Sequence, residues 1–197
     1  MGNLRVGIAL YNAGRHLAAH EPLEELWLEA PAGERDDCLQ GLIQATAAVY
    51  KADSGNRAGA VGLAESAADY LTDCADAPVA VTTLADWLDR LVVAPALPER
   101  ERPPTLRIDG EAVGIDDLTP AEVLLAGDAV AETDDDGLLA AAVTYADSDV
   151  EGVDKTTPLV ALVRAYIAEP NAVVRDRLQS FVERRRTRES DVEGVFE

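Results

Sequence analysis

The sequence predicts an all-α protein: a bundle of helical hairpins, a mostly helical C-terminal extension and one small β-hairpin. Three observations carry this. Apolar residues recur at three- and four-residue spacing along most of the chain. Short turns marked by glycine separate these stretches. One stretch, near 105–115, reads instead as two extended runs around Asp109-Gly110.

The first helix places Leu4, Ile8 and Tyr11 about one turn apart, and Gly14-Arg15 breaks it. The second carries Leu17, His20, Leu23, Glu24 and Trp27 on one face. Pro22 predicts that this helix starts only a few residues earlier, because an interior proline removes a hydrogen bond. Pro31-Ala32-Gly33 closes it. A third helix opens near Glu34–Asp37, where acidic residues suit the positive N-terminal end. Its stripe is Cys38, Leu39, Leu42, Ile43, Thr46, Val49 and Tyr50. Ser54-Gly55-Asn56 marks the next turn. The fourth helix presents Ala60, Val61, Ala64, Ala67, Ala68 and Leu71, small residues that permit close approach. This pairing resembles tetratricopeptide-like hairpins, although two units make only a small bundle. The bundle is expected to bury Trp27, Leu42, Ile43, Tyr50 and Leu71.

A helix over 79–94 follows, with Leu84, Trp87, Leu88 and Leu91 on one face. Segment 95–104 holds four prolines and alternating charge and reads as a linker. The expected organisation is therefore a helical bundle over 1–94, a Pro-rich linker over 95–104 and an extension over 105–197. Thr119-Pro120 with Glu122 looks like an N-cap followed by proline at the first helical position. Helices are predicted near 120–132 and 137–147, from Thr157-Pro158 to Glu169-Pro170, and over 171–189. Asp134-Asp135-Asp136 reads as an acidic N-cap cluster.

The 197 residues carry 37 Asp+Glu against 17 Lys+Arg, a net charge of −20. Lys51 and Lys155 are the only lysines. Such a chain is poorly suited to gripping phosphate backbones, which release counterions only to Lys and Arg, so nucleic acid is not an expected partner. Acid excess with almost no lysine resembles the proteins of salt-accumulating archaea. The physical reading is independent of that resemblance. Uncompensated negative charges repel in dilute buffer, and at about 1 M salt a Debye length of roughly 3 Å removes most of the repulsion. No apolar run approaches the roughly 18 residues of a membrane span, and Met1–Ala9 does not read as a secretory signal. The two cysteines, Cys38 and Cys74, lack CxxC or zinc spacing and sit on apolar stripes, so free buried thiols in a reduced cytoplasm are expected.

The chain's two histidines are His16 and His20. His20-Glu21-x-x-Glu24-Glu25-x-Trp27 is the densest chemistry in the sequence. On a helix, His20 and Glu24 share the face of Leu23 and Trp27, where burial of polar groups needs compensation. Three readings stay open. Glu24 and His20 belong to a satisfied internal network. They ligate a divalent metal, with His16 or Gln40/Gln44 completing the site, although the zinc-protease pattern fails because Glu24 stands at the second His position. Or they form an acid–base pair facing a small molecule.

Ala9-Leu10-Tyr11-Asn12-Ala13-Gly14, Ala19-His20-Glu21-x-x-Glu24-Glu25-Leu26-Trp27, Leu39-Gln40-Gly41-Leu42-Ile43-Gln44 and Gly55-Asn56-x-x-Gly59-Ala60 together resemble domain-of-unknown-function family 309, over about residues 5–72. That family is prokaryotic and all-helical and has no assigned activity. The resemblance implies that His20, Glu21, Glu24, Trp27, Gln40 and Gln44 form a shared polar cluster. His16 departs from the aromatic residue usual in the family, and Pro22 replaces an apolar one. Residues 75–197 lie outside the resemblance.

Other signals are weaker. Asp147–Gly152 copies the start of a calcium loop, but Pro158 stands where a bidentate Glu is needed. Gly55-x-x-x-Gly59-x-x-Gly62 follows a helix and lacks the GK[ST] ending of a phosphate loop. Ser-Asp-Val-Glu-Gly-Val at 148–153 and 190–195 reads as two helix ends closed by glycine. The basic run Glu183–Arg188 suits the C-terminal end of its own helix or pairing with acidic surface.

The functional expectation is a non-enzymatic binding or assembly module centred on His20, Glu24 and Gln44, without a required cofactor. Self-association or a protein partner is expected, if at all, through the amphipathic helix within 171–197. The alternative is a metal-dependent or acid–base enzyme at His20/Glu24.

Overall fold

Nine α-helices and one two-stranded hairpin make up the described part of the chain, residues 2–74, 76–150 and 157–193 of a computed structural model. The all-α class with a single small hairpin is observed as expected. The chain divides into two compact units, Met1–Gly114 and Ile115–Glu197.

The first unit holds α1 (Gly2–Asn12), α2 (His16–Glu29), α3 (Asp37–Asp53), α4 (Arg57–Leu71) and α5 (Thr82–Val93), each packed on the next. Local signals set their limits. Asp36 caps α3 by accepting the Leu39 amide at 2.8 Å, and Asn56 caps α4 by accepting the Gly59 amide at 3.0 Å. Gly14 adopts φ +77° between α1 and α2, a conformation that favours glycine. The core gathers Ile8, Leu10, Leu23, Leu84, Trp87, Leu88 and Leu91, all fully buried. Gly7 and Gly41 let neighbours close in, since a Cβ at Gly41 would meet Leu71 at 2.7 Å and one at Gly7 would meet Leu23 at 2.5 Å.

The hairpin β1 (Arg107–Ile108) and β2 (Glu111–Ala112) also belongs to this unit. Ile108 pairs with Glu111 and Arg107 with Ala112 across Asp109-Gly110, both at positive φ as a tight I′ turn requires. The hairpin is anchored at two places. Val79 bridges Ile108. The Asn12 amide donates to the Leu106 and Val113 carbonyls, each at 2.9 Å, and its oxygen accepts the Leu106 amide at 2.8 Å.

Three features differ from expectation. The helix through Pro22 does not start close to it: α2 begins at His16 and carries a buried Pro22 in its interior. The missing amide costs one bond to the preceding turn, and burial of the ring offsets it. Trp27 and Tyr50 are only half-buried, whereas Leu42, Ile43 and Leu71 are buried as expected. Trp87, not Trp27, is the enclosed tryptophan, 1% exposed. Finally, Cys38 and Cys74 are not free thiols but form a disulfide, their Cα atoms 5.7 Å apart. Cys38 stands in the first turn of α3 and Cys74 just beyond α4, so the antiparallel packing of that pair brings the two ends together.

The second unit is a bundle of α6 (Pro120–Thr133), α7 (Gly137–Val150), α8 (Pro158–Ala168) and α9 (Ala172–Glu193) around Leu139, Leu159, Ile167 and Leu178. Thr119 and Glu122 form the full capping box at the start of α6, and Thr157 caps α8. Asp136 caps α7 through the Leu138 and Leu139 amides and also accepts from Tyr166 of α8 at 2.8 Å and Arg175 of α9 at 2.7 Å. Within the basic run, Arg185 pairs with Asp149 of α7 at 2.8 Å, the acidic-surface pairing expected from sequence. Leu178 and Val182 of α9 are buried within this unit, where α9 packs on α7 and α8. The glycine closures expected at Gly152 and Gly194, and the end of the calcium-like loop, lie outside the described residues.

Candidate functional site

The His20 patch lies on the outer part of α2. The His20 Nδ1 stands 3.8 Å from a Glu24 oxygen and 3.9 Å from a Glu21 oxygen, within ion-pair range but beyond a hydrogen bond. The side chains of His20, Glu21 and Glu24 keep 27%, 41% and 46% of their exposure. Trp27 carries the Arg35 guanidinium 4.1 Å above its ring, a cation–π contact at the far end of the same helix. Gln40 and Gln44 are half-buried on α3, and no hydrogen bond joins either to His20 among the described residues. The Gln44 side-chain oxygen is sealed from solvent without a hydrogen-bond partner. The structure thus brings His20, Glu21 and Glu24 together, and no hydrogen bond or ion pair joins these three to Trp27, Gln40 or Gln44 among the described residues. Among the described residues, no three His, Cys, Asp or Glu side chains cluster as a metal site would require.

A second constellation, missed in the sequence, lies at the other end of α2. Tyr11 at the end of α1, His16 at the start of α2 and Asp53 at the end of α3 line a cleft of about 520 Å³. Its opposite wall comes from the Pro-rich segment, with Pro98, Arg102 and Thr105. The volume falls in the range of small-molecule sites, roughly 300–1,000 Å³.

Each member has a local cause. The turn at Gly14 reverses the chain so that Tyr11 and His16 meet edge to face, ring centroids 5.2 Å apart at 62°. The Asn12 bonds to Leu106 and Val113 fasten the end of α1 beside the chain that follows the Pro-rich segment. The turn after α3 ends that helix at Asp53, whose carboxylate lies 3.0 Å from His16 Nδ1. That contact occupies one ring nitrogen and leaves Nε2 for another partner.

The electrostatics follow from burial. His16 is nearly enclosed, which pushes its pKa below the ordinary imidazole value, and the Asp53 charge and hydrogen bond only partly oppose this. The imidazole is therefore neutral at neutral pH, with Asp53 accepting from Nδ1–H. Burial, then the charge of Asp53, pushes the Tyr11 hydroxyl far above the usual phenol range, so it stays protonated. Tyr11 is 3% exposed, and its hydroxyl has no hydrogen-bond partner. Leaving a buried hydroxyl unsatisfied costs about 1–3 kcal/mol, a cost carried by a residue of the cleft wall.

Partial signs of this cleft are present in the sequence. His16 stands out as one of two histidines in the chain, and the prolines of 95–104 are visible as a linker. Nothing local connects Tyr11, Asp53 and Arg102, which lie far apart in the chain. No curated protein and no solved structure matches the chain. Residues 4–63, from α1 into α4, match the model of the family described as Domain of unknown function (DUF309), in agreement with the resemblance carried by the Tyr11, His20 and Gln40 motifs.

Proposed function

We propose that the N-terminal unit is a non-enzymatic binding module for a small polar molecule, held in the cleft of Tyr11, His16, Asp53 and Arg102. The observation that carries this reading is a cleft of ligand size lined by Tyr11, His16, Asp53 and Arg102. Around it stand an oriented neutral imidazole, a carboxylate and a guanidinium, the few convergent polar groups that small-molecule sites carry. The His20–Glu24 patch then serves as a polar rim of α2, without the closed network that would make it a structural centre.

A thermal-shift screen of small polar metabolites tests this. Compounds that raise Tm of the native chain but not of Tyr11→Phe or His16→Gln support it, and a screen in which no compound does so overturns it. A second reading, acid–base catalysis, is favoured by the His16–Asp53 contact, which leaves Nε2 free to take a proton. Turnover of a compound found in the screen, lost in His16→Gln, would select that reading.

We further propose a salt-adapted protein. The charge of −20 supports the salt adaptation. No helix among the described residues is long and apolar enough to cross a membrane. The Cys38–Cys74 bridge is the feature that argues for a more oxidising setting.

A further inference from the structure

We propose that the cleft takes a zwitterion of the α-amino acid class, with its ammonium group at Asp53 and its carboxylate at Arg102. The inference rests on the binding reading above and adds to it the charge pattern of the ligand.

Three observations lead to it. First, the lining carries one carboxylate and one guanidinium on different walls: Asp53 at the end of α3, Arg102 on the Pro-rich segment. A ligand with one sign of charge satisfies one and leaves the other facing it with like charge. A zwitterion satisfies both. Second, Asp53 is the last residue of α3, where the helix dipole is negative. Its hydrogen-bond partner, His16, is held neutral by burial and supplies no cation. That end of the cleft is therefore a place for an ammonium group. Third, the opposite charge in the lining suits a carboxylate. Arg102 is exposed and forms no ion pair among the described residues. Pro98, Pro103 and Pro104 provide rigid apolar surface for the carbon skeleton between the two charges.

Isothermal titration of the full chain, in the salt that keeps it folded, tests the claim with three matched probes. L-leucine carries both charges, 4-methylpentanoate has the same skeleton without the ammonium group, and 3-methylbutylamine has it without the carboxylate. L-leucine is expected to bind about tenfold or more tightly than either half. Asp53→Asn and Arg102→Gln, both at exposed positions, are each expected to cost L-leucine about tenfold while leaving the circular dichroism spectrum unchanged. Either half-ligand binding as well as L-leucine, L-leucine affinity unmoved in both variants, or no binding by any of the three overturns the inference. The binding reading itself falls only if the wider metabolite screen also fails, so the two failures are told apart.

Discussion

His16 shows how one side chain links fold and site. Its ring is buried against Tyr11 and fixed by Asp53, and burial lowers its pKa from the ordinary value. The unfolded chain therefore binds this proton more readily than the folded one. Stability contributed by the neutral ring is present above the ordinary imidazole pKa, about 6.5, and is lost as pH falls below it towards the lowered folded value. Urea unfolding at pH 7 and pH 5 is expected to show a larger loss of stability for the native chain than for His16→Gln; equal losses contradict the burial argument. At this scale the sequence is least legible. His16 and His20 sit one turn apart on the same helix, and the sequence draws attention to His20 because its neighbours are acidic. The fold encloses His16 instead, because the partners that enclose it come from α1 and α3.

Helix limits are far more legible, because caps are local. Thr119 with Glu122, Thr157 before Pro158, and the acidic start of α3 all mark real helix ends, since each satisfies backbone amides within three residues. Pro22 misleads because its cost is local while the packing that compensates it is tertiary. The disulfide is illegible for a related reason: each cysteine fits an apolar stripe, and only the pairing of α3 with α4 reveals that they meet. That bridge closes a separation of 36 residues. Chain-entropy arguments give such a loop about 3–4 kcal/mol of stabilisation. Cys38→Ser is expected to lower unfolding free energy in urea by roughly that amount, and the native chain is expected to lose the same amount under dithiothreitol. No effect of reductant on the native chain contradicts a formed bridge. The Pro-rich segment has the composition of a linker, yet it walls the cleft, with Glu99 paired to Arg57 of α4, Glu101 to Arg90 of α5, and Asn12 bonded to Leu106 just beyond it.

Across the whole molecule, the dominant number is the charge of −20. Among the described residues Glu122, in its capping box, is the only buried carboxylate, so the acidic excess lies at the surface, where salt screens it. Unfolding followed by circular dichroism is expected to show higher Tm in molar KCl than in dilute buffer, and equal stability in both contradicts salt adaptation. The charge says nothing about which surface patch binds, because acids are spread over both units. The two histidines separate the candidate sites cleanly: His16 lines the cleft, and His20 marks the outer patch of α2. The central claim, that ligand enters at the cleft, is therefore tested by a two-dimensional NMR spectrum of the chain labelled only at its histidine rings. On addition of a compound that raises Tm, the His16 resonance is expected to move and the His20 resonance to stay. A moved His20 resonance with His16 unchanged would contradict entry at the cleft.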